Sequence, residues 1–165
     1  MRLAVAVSVS VLLVLIPNTA SASKKQEIRG GWIGAIPCAI TSYNPSPGAP
    51  TTGTFTCSSG TFWDGSLTGQ TTYTVHGQID FLTGNSTGTL EETFYGVATA
   101  DQSTGTLSFK ERYRADGATN TLHIDVDIVG GTGDWIGSKG HLTFDGVQFV
   151  AVAGHGGYAG TWIRR

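Results

Sequence analysis

The sequence predicts an all-β domain, a sandwich or an antiparallel barrel, and three observations carry that prediction. Glycine and threonine dominate the chain, with all 24 glycines beyond residue 22; threonine and aromatic residues favour strands, and dense glycine marks turns and bulges. Eight or nine short runs of strand character follow one another at regular spacing between turn signals, the pattern of a sandwich or barrel. No long stretch has apolar residues at helical spacing.

The chain opens with a different kind of segment. Arg2 is a short basic start, Leu3 to Ile16 an apolar run, Pro17 its end, and Ala20-Ser21-Ala22 a small-residue cleavage site. This reads as a secretory signal peptide over residues 1–22, cut after Ala22. As a helix, this run of fourteen residues, broken only by Ser8 and Ser10, would reach about 21 Å, short of a hydrocarbon core of about 30 Å, which argues against a membrane anchor. The expected location is extracellular, with no membrane association after cleavage. Residues 23–165 suit one domain with a single core. They carry nine Lys and Arg against twelve Asp and Glu, a net charge of −3 without a basic stripe, which argues against nucleic acid as a partner.

Along the chain, Ser23 to Arg29 is polar and is expected to fray. Residues 23–50 form an N-terminal extension with the Pro-rich loop Ser42 to Pro50, and residues 51–165 the β domain. Cys38 and Cys57, an even count in an exported chain, read as a disulfide that pins that loop. The strands expected are Thr51–Ser58, Thr61–Leu67, Gln70–Ile79, Gly88–Thr99, Thr104–Arg114, Thr119–Val129, Ser138–Asp145, Val147–Ala153 and Tyr158–Ile163. Asp145-Gly146, between two apolar triplets, is the strongest two-residue hairpin signal. Asp101-Gln102 and Asp116-Gly117 are weaker ones.

Alternation assigns the faces. Leu90 and Phe94 flank Glu92, and Leu107, Phe109 and Tyr113 share a face with Glu111, so both glutamates should point inward with the apolar set. A turn centred on Asp101-Gln102 would set Phe94 opposite Phe109 and Glu92 opposite Glu111; a two-residue change of register would leave the glutamates diagonal neighbours. Leu122, Ile124, Val126 and Ile128 form the next inward stripe, with His123, Asp125 and Asp127 outside. A turn at Asp116-Gly117 would place Lys110 opposite His123 and Glu111 opposite Leu122, so a basic outer face meets an acidic one.

Gly130-Gly131-Thr132-Gly133-Asp134-Trp135-Ile136-Gly137-Ser138-Lys139-Gly140 lies between two strands. Its glycines permit a tight reversal, and Trp135 and Ile136 can fold back as a plug. The segment resembles the Gly-Gly-Thr-Gly-x-aromatic-x-Gly-x-x-Gly phrase of the allene oxide cyclase-like and dirigent-like barrel superfamily. Glu92-Thr93-Phe94-Tyr95-Gly96 resembles the Glu-x-Phe-x-Gly strand of its uncharacterised bacterial members. The resemblance spans residues 61–161. It implies an eight-stranded antiparallel β-barrel, here with a disulfide-pinned N-terminal loop, a mostly apolar interior, and relatives that guide reactive intermediates through cyclisation or coupling, some as dimers or trimers. The glycine-rich phrase is a turn signature and carries no catalytic residue over.

Two carboxyls in an apolar interior cannot both ionise cheaply, so one should titrate high and serve as a general acid or base. Glu92 and Glu111 are therefore the candidate catalytic pair, with Tyr73, Phe94, Phe109 and Tyr113 lining the ligand. A structural hydrogen-bond network is the competing reading. His76, His123, His141 and His155 form no HxH or HxxxH pair, the first three fall on outer faces, and Asp125-x-Asp127 lacks further loop oxygens, so neither a metal nor a cofactor is expected. Gly65-Ser66-Leu67-Thr68-Gly69 is not a nucleophile elbow. Three functions fit: a cyclase- or isomerase-like enzyme acting on a small, mainly apolar molecule, a non-catalytic carrier or sequestering protein, and a partner-binding surface module using exposed Trp32, Trp63 and Trp162.

Overall fold

A computed structural model describes residues 23–34, 38–149 and 152–164; residues 1–22, expected to be a signal peptide, lie outside the described residues. The described residues form ten strands: β1 (Lys24–Gly34), β2 (Ala39–Ser46), β3 (Ala49–Ser59), β4 (Thr61–Gly65), β5 (Leu67–Asp80), β6 (Ser86–Ala98), β7 (Thr104–Asp116), β8 (Thr121–Gly133), β9 (Lys139–Phe149) and β10 (Val152–Arg164). All pairings are antiparallel, and the order β5-β4-β1-β10-β9-β8-β7-β6 returns to β5, so eight strands close a barrel. The β2–β3 hairpin stands outside this ring, joined to it where β3 pairs with the second half of β5. Closure removes the free sheet edges of the ring strands.

The strands expected from alternation are present, with corrections at two turns and in the N-terminal extension, where Ser42 to Pro50, expected as a loop, is mostly strand: β2 carries it to Ser46 and β3 begins at Ala49 after a two-residue turn. The Asp145-Gly146 pair is not a hairpin: β9 runs straight through it, Asp145 pairing with Gly157 and Gly146 with Gly156. A side chain at Gly146 would lie 2.8 Å from the Trp32 indole, and the Asp145 carboxylate is on the outer face, 2.6 Å from His123 Nδ1. Glycine is there for close packing, which overrides its turn propensity. The β7–β8 reversal is a longer loop than Asp116-Gly117. Asp116 accepts backbone N–H bonds from Ala118 and Thr119, and Asn120 takes a positive φ of 54°, as Asx turns and left-handed Asn residues do. Lys110 therefore faces Asp127 and Arg112 faces Asp125, so the basic face still meets the acidic one. Finally, residues 24–34 do not fray; β1 completes the ring between β10 and β4. Its alternation buries Ile28 and Trp32 while its charged residues point out.

The barrel interior is divided into two halves. At one end Trp135, Trp162, Phe94, Leu67, Leu107 and Leu142 are fully buried. Trp135 is the plug the glycine-rich segment suggested: it meets Trp162 edge-on at 5.4 Å, and its indole N–H donates to Ser103 Oγ. Ile136, expected beside it, is instead 70% exposed, because the tight turn sends adjacent side chains in opposite directions. Arg164 covers this end, its guanidinium 4.7 Å above the Trp162 ring, paired with Asp101 and donating to Ser103 Oγ. At the other end a smaller cluster of Cys57, Val75, Leu90 and Tyr113 leaves space between the walls.

Candidate functional site

The space in the open half is a cavity of about 220 Å³. Its floor is Trp63, which stacks on Phe109 and packs at a tilt against Phe94, Phe144 and Tyr158, at 4.9–5.4 Å, and separates the closed half from the open one. Its walls are inward residues of the ring, among them Val75, Leu90, Leu122 and Ile124, and its mouth is formed by the β5–β6 and β7–β8 loops. The β2–β3 hairpin adds Ile40 and Phe55 to the wall, fastened by the Cys38–Cys57 disulfide, which itself lines the cavity. Tyr43 of that hairpin meets Phe81 of the β5–β6 loop edge-on at 5.2 Å.

Glu92 and Glu111 both point inward and are nine-tenths buried or more. The β6–β7 register is two residues from the symmetric one: Glu92 faces Phe109 and Leu90 faces Glu111. Five residues, Thr99 to Ser103, join the two strands, with Gln102 at a φ of 58°. The glutamates are thus diagonal neighbours and hydrogen-bond each other. Thr61 Oγ1, which bonds Thr71 at 2.7 Å and accepts the Trp63 indole N–H at 2.8 Å, also lies 3.4 Å from Glu92 Oε1.

Burial raises both carboxyls. For Glu92 it is opposed by hydrogen bonds from Glu111, Thr71 and Thr61. For Glu111 it is reinforced by the Glu92 charge and by the hydrogen bond that Glu111 donates, which holds its carboxyl well above the usual range. Two like charges in low dielectric share a proton in this way. The two carboxyls therefore titrate as one unit that holds a shared proton above the usual carboxyl range.

Tyr73 is the cross-strand partner of Glu92. Burial raises its phenol, a hydrogen bond with Ser59 lowers it, and the two glutamates raise it further. Tyr113 lies over Gly88, where a side chain would come within 2.9 Å of its ring; the absent Cβ lets the phenol lie flat against the wall. Burial raises Tyr113 too, with Ser86 close enough to oppose it, yet no group meets its hydroxyl with hydrogen-bond geometry. The same holds for Trp32 Nε1 and Glu111 Oε1. All three residues line the cavity. Buried polar atoms are normally paired, so three orphans around one space mark a place for a ligand's polar groups or water.

The structure thus brings together Glu92, Glu111, Tyr73 and Tyr113. Phe94 and Phe109, expected to line a ligand, lie below the floor, because Trp63 from the short β4 strand comes between them and the cavity. Trp32, Trp63 and Trp162, expected as exposed binding aromatics, are buried, at 8%, 3% and 0% exposure. Trp32 and Trp63 are cross-strand partners in β1 and β4, and period-two alternation within those two strands is the signal that places them inside. His123 and His141 pair with Asp145 and Asp127 on the outer face. Among the described residues no group of three or more His, Cys, Asp or Glu is placed to hold a metal.

The sequence matches no protein-family model and no curated protein. The structure does have a solved counterpart in the pterocarpan synthase dirigent protein GePTS1. The two superpose over 86% of this chain and 91% of that one, with a TM-score of 0.55 at 14% identity. At that identity the likeness is one of fold: both chains form an antiparallel β-barrel, the architecture that the resemblance of the glycine-rich segment implied.

Proposed function

We propose that this is a secreted barrel that binds a small, mainly apolar molecule in its open half. The observation that carries the reading is the cavity, walled by aliphatic and aromatic side chains, with Trp32 Nε1, Tyr113 Oη and Glu111 Oε1 unpaired around it. A concave apolar site with a few convergent polar groups is the usual form of a small-molecule site. Secretion rests on the signal-peptide pattern of residues 1–22 and is supported by the disulfide, which persists in oxidising compartments. The Glu-x-Phe-x-Gly strand favours kinship with the bacterial members of the superfamily.

The carboxyl pair supports a second reading, a cyclase- or isomerase-like enzyme. Glu111 would give its proton to a bound electrophile while Glu92 stabilises the positive charge that develops, the division of labour that environment imposes on paired carboxyls. Without turnover the same site is that of a carrier. The test is native mass spectrometry of freshly secreted protein, followed by extraction and identification of whatever dissociates. A small molecule retained by wild type and lost in a cavity-filling Leu90→Trp variant is the expected result. Empty protein that binds no member of an apolar compound library would end this reading, and an intact mass that starts before Ser23 would end the secretory one.

A further inference from the structure

The side chains around the cavity are lopsided in charge. Glu92, Glu111 and Asp116 line it, while among the described residues no Lys, Arg or His does. The remaining titratable groups facing the pair are Tyr73 from β5 and Tyr113 from β7; β4, β8 and β9 contribute Thr61, Trp63, Leu122, Ile124 and Phe144, none of which titrates. The donors of β4 and β5 beside the pair are already committed. The Trp63 N–H goes to Thr61, Thr61 and Thr71 serve each other and Glu92, and Tyr73 is engaged with Ser59. Glu111 Oε1, on a side chain only 4% exposed, is left without a donor.

We infer that the cavity selects a monocation: a protonated amine on an apolar body of one or two rings, its N–H groups on the Glu92–Glu111 carboxyls and its charge over aromatic faces. The inference rests on the small-molecule reading above and specifies the ligand's chemistry. An ammonium brings several donors to a pair that lacks one, and the Trp63 floor and Tyr73 ring offer the π-faces that attract cations in a desolvated site. One positive charge matches one ionised carboxylate, whereas an anion would meet only like charge. The Trp32 N–H and Tyr113 hydroxyl remain available to an acceptor oxygen elsewhere on the body.

A pH signature follows from linkage. The pair binds protons more tightly than free carboxyls do. A monocation favours the singly ionised pair over the fully protonated one, so below the raised range its binding releases a proton, and its affinity rises with pH until that range is passed. A neutral ligand of the same shape has no such slope.

The experiment is calorimetry on the disulfide-intact protein with three probes of one shape: 1-naphthylmethylamine, 1-naphthylmethanol and 1-naphthoate. The amine is expected to bind at least about tenfold more tightly than the alcohol, a 1.4 kcal/mol preference, with no binding of the carboxylate. Its affinity should increase between about pH 5 and pH 8, with protons released on binding. The double variant Glu92→Gln, Glu111→Gln should lower amine affinity about tenfold and flatten the slope while alcohol binding persists. An alcohol that binds as well as the amine, or an amine affinity unchanged in the double variant, overturns the cation proposal and leaves the apolar-cavity reading standing. If none of the three binds, both fall. Should the double variant not fold, the wild-type pH slope decides alone: a flat amine profile overturns the proposal.

Discussion

The two halves of the barrel are built from the same strands by the same alternation, and they end up as different materials. Below Trp63 the interior is filled by large rings and branched side chains, with Trp135, Trp162, Phe94, Leu67 and Leu107 excluded from solvent. Above it the inward positions hold smaller or polar residues, Val75, Ser86, Glu92 and Ala115 among them, and the walls stay apart around a cavity. Among the described residues the large buried side-chain donors of the closed half have partners: Trp135 and Trp162 donate to Ser103 and Ser138, and the Tyr158 hydroxyl donates to the Leu67 carbonyl and accepts its N–H. The three orphaned polar atoms all belong to the open half. One half holds the fold together, and the other is left underfilled and polar, which costs stability and provides a site.

The contrast is broken most directly by equal truncations in the two halves. Leu107→Ala in the closed half should cost about 3–5 kcal/mol, the transfer loss plus an unrelieved cavity. Leu90→Ala, one strand away in the open half, should cost about 2 kcal/mol, since it enlarges a space that already exists. Urea unfolding of both variants measures the difference. Equal losses would mean that the open half is packed as tightly as the closed one.

Reducing the Cys38–Cys57 bond, a sequence separation of 19, should cost about 3 kcal/mol by chain entropy. The loss should be uneven: hydrogen exchange should quicken in β2 and β3 and little change in β9 or β10. Uniform loosening would show that the hairpin is integral to the barrel rather than a wall attached to it.

The double variant Glu92→Gln and Glu111→Gln should keep the fold and raise stability near neutral pH by about 1 kcal/mol, a few degrees in Tm, because it removes charge from an apolar site. The sign follows from the raised carboxyls. Wild-type stability from this pair is fully present below the unfolded value of about 4.3 and declines as pH climbs through the raised folded range. The variant should therefore lack that decline, which thermal melts across pH will show. Two glutamates titrating independently at ordinary values in carboxyl-carbon NMR would remove the pair from the cavity.

The smallest effect belongs to the rim of the closed end. Arg164 holds the Asp101 carboxyl below the usual range, so this contact is present above the ordinary Asp value and lost as pH falls through the lowered one, opposite to the glutamate pair. Asp101 is 44% exposed, and screening limits Asp101→Asn to about 1 kcal/mol or less in thermal melts. A larger loss would show that Arg164 is needed to keep the Trp162 end shut.

Much of this division is legible in the residues. Alternation alone put Glu92 and Glu111 inside, and the period of a strand leaves no other face for them. Their diagonal relation was one of two registers open to the chain, since loop length and a left-handed Gln102 chose between them, and neither is visible in polarity. The Asp145-Gly146 dipeptide misleads for a related reason. Turn propensity is local, whereas the need for a flat backbone beneath Trp32 arises only when β1 arrives from over a hundred residues away. Alternation within β1 and β4 places Trp32 and Trp63 inside, but those strands are short or polar and their period-two signal is correspondingly weak.

By itself the sequence determined the all-β class, the inward glutamates, the disulfide and the buried Trp135 plug, because period-two alternation, an isolated cysteine pair and a glycine-dense reversal each act over a few residues. Tertiary structure alone decided that the ring closes with β1, that Trp63 divides the interior, and that Tyr73, Tyr113 and the carboxyl pair share one cavity. Those facts depend on which distant strands become neighbours and on the volume left once their side chains meet. That quantity belongs to the whole barrel and to no segment of it.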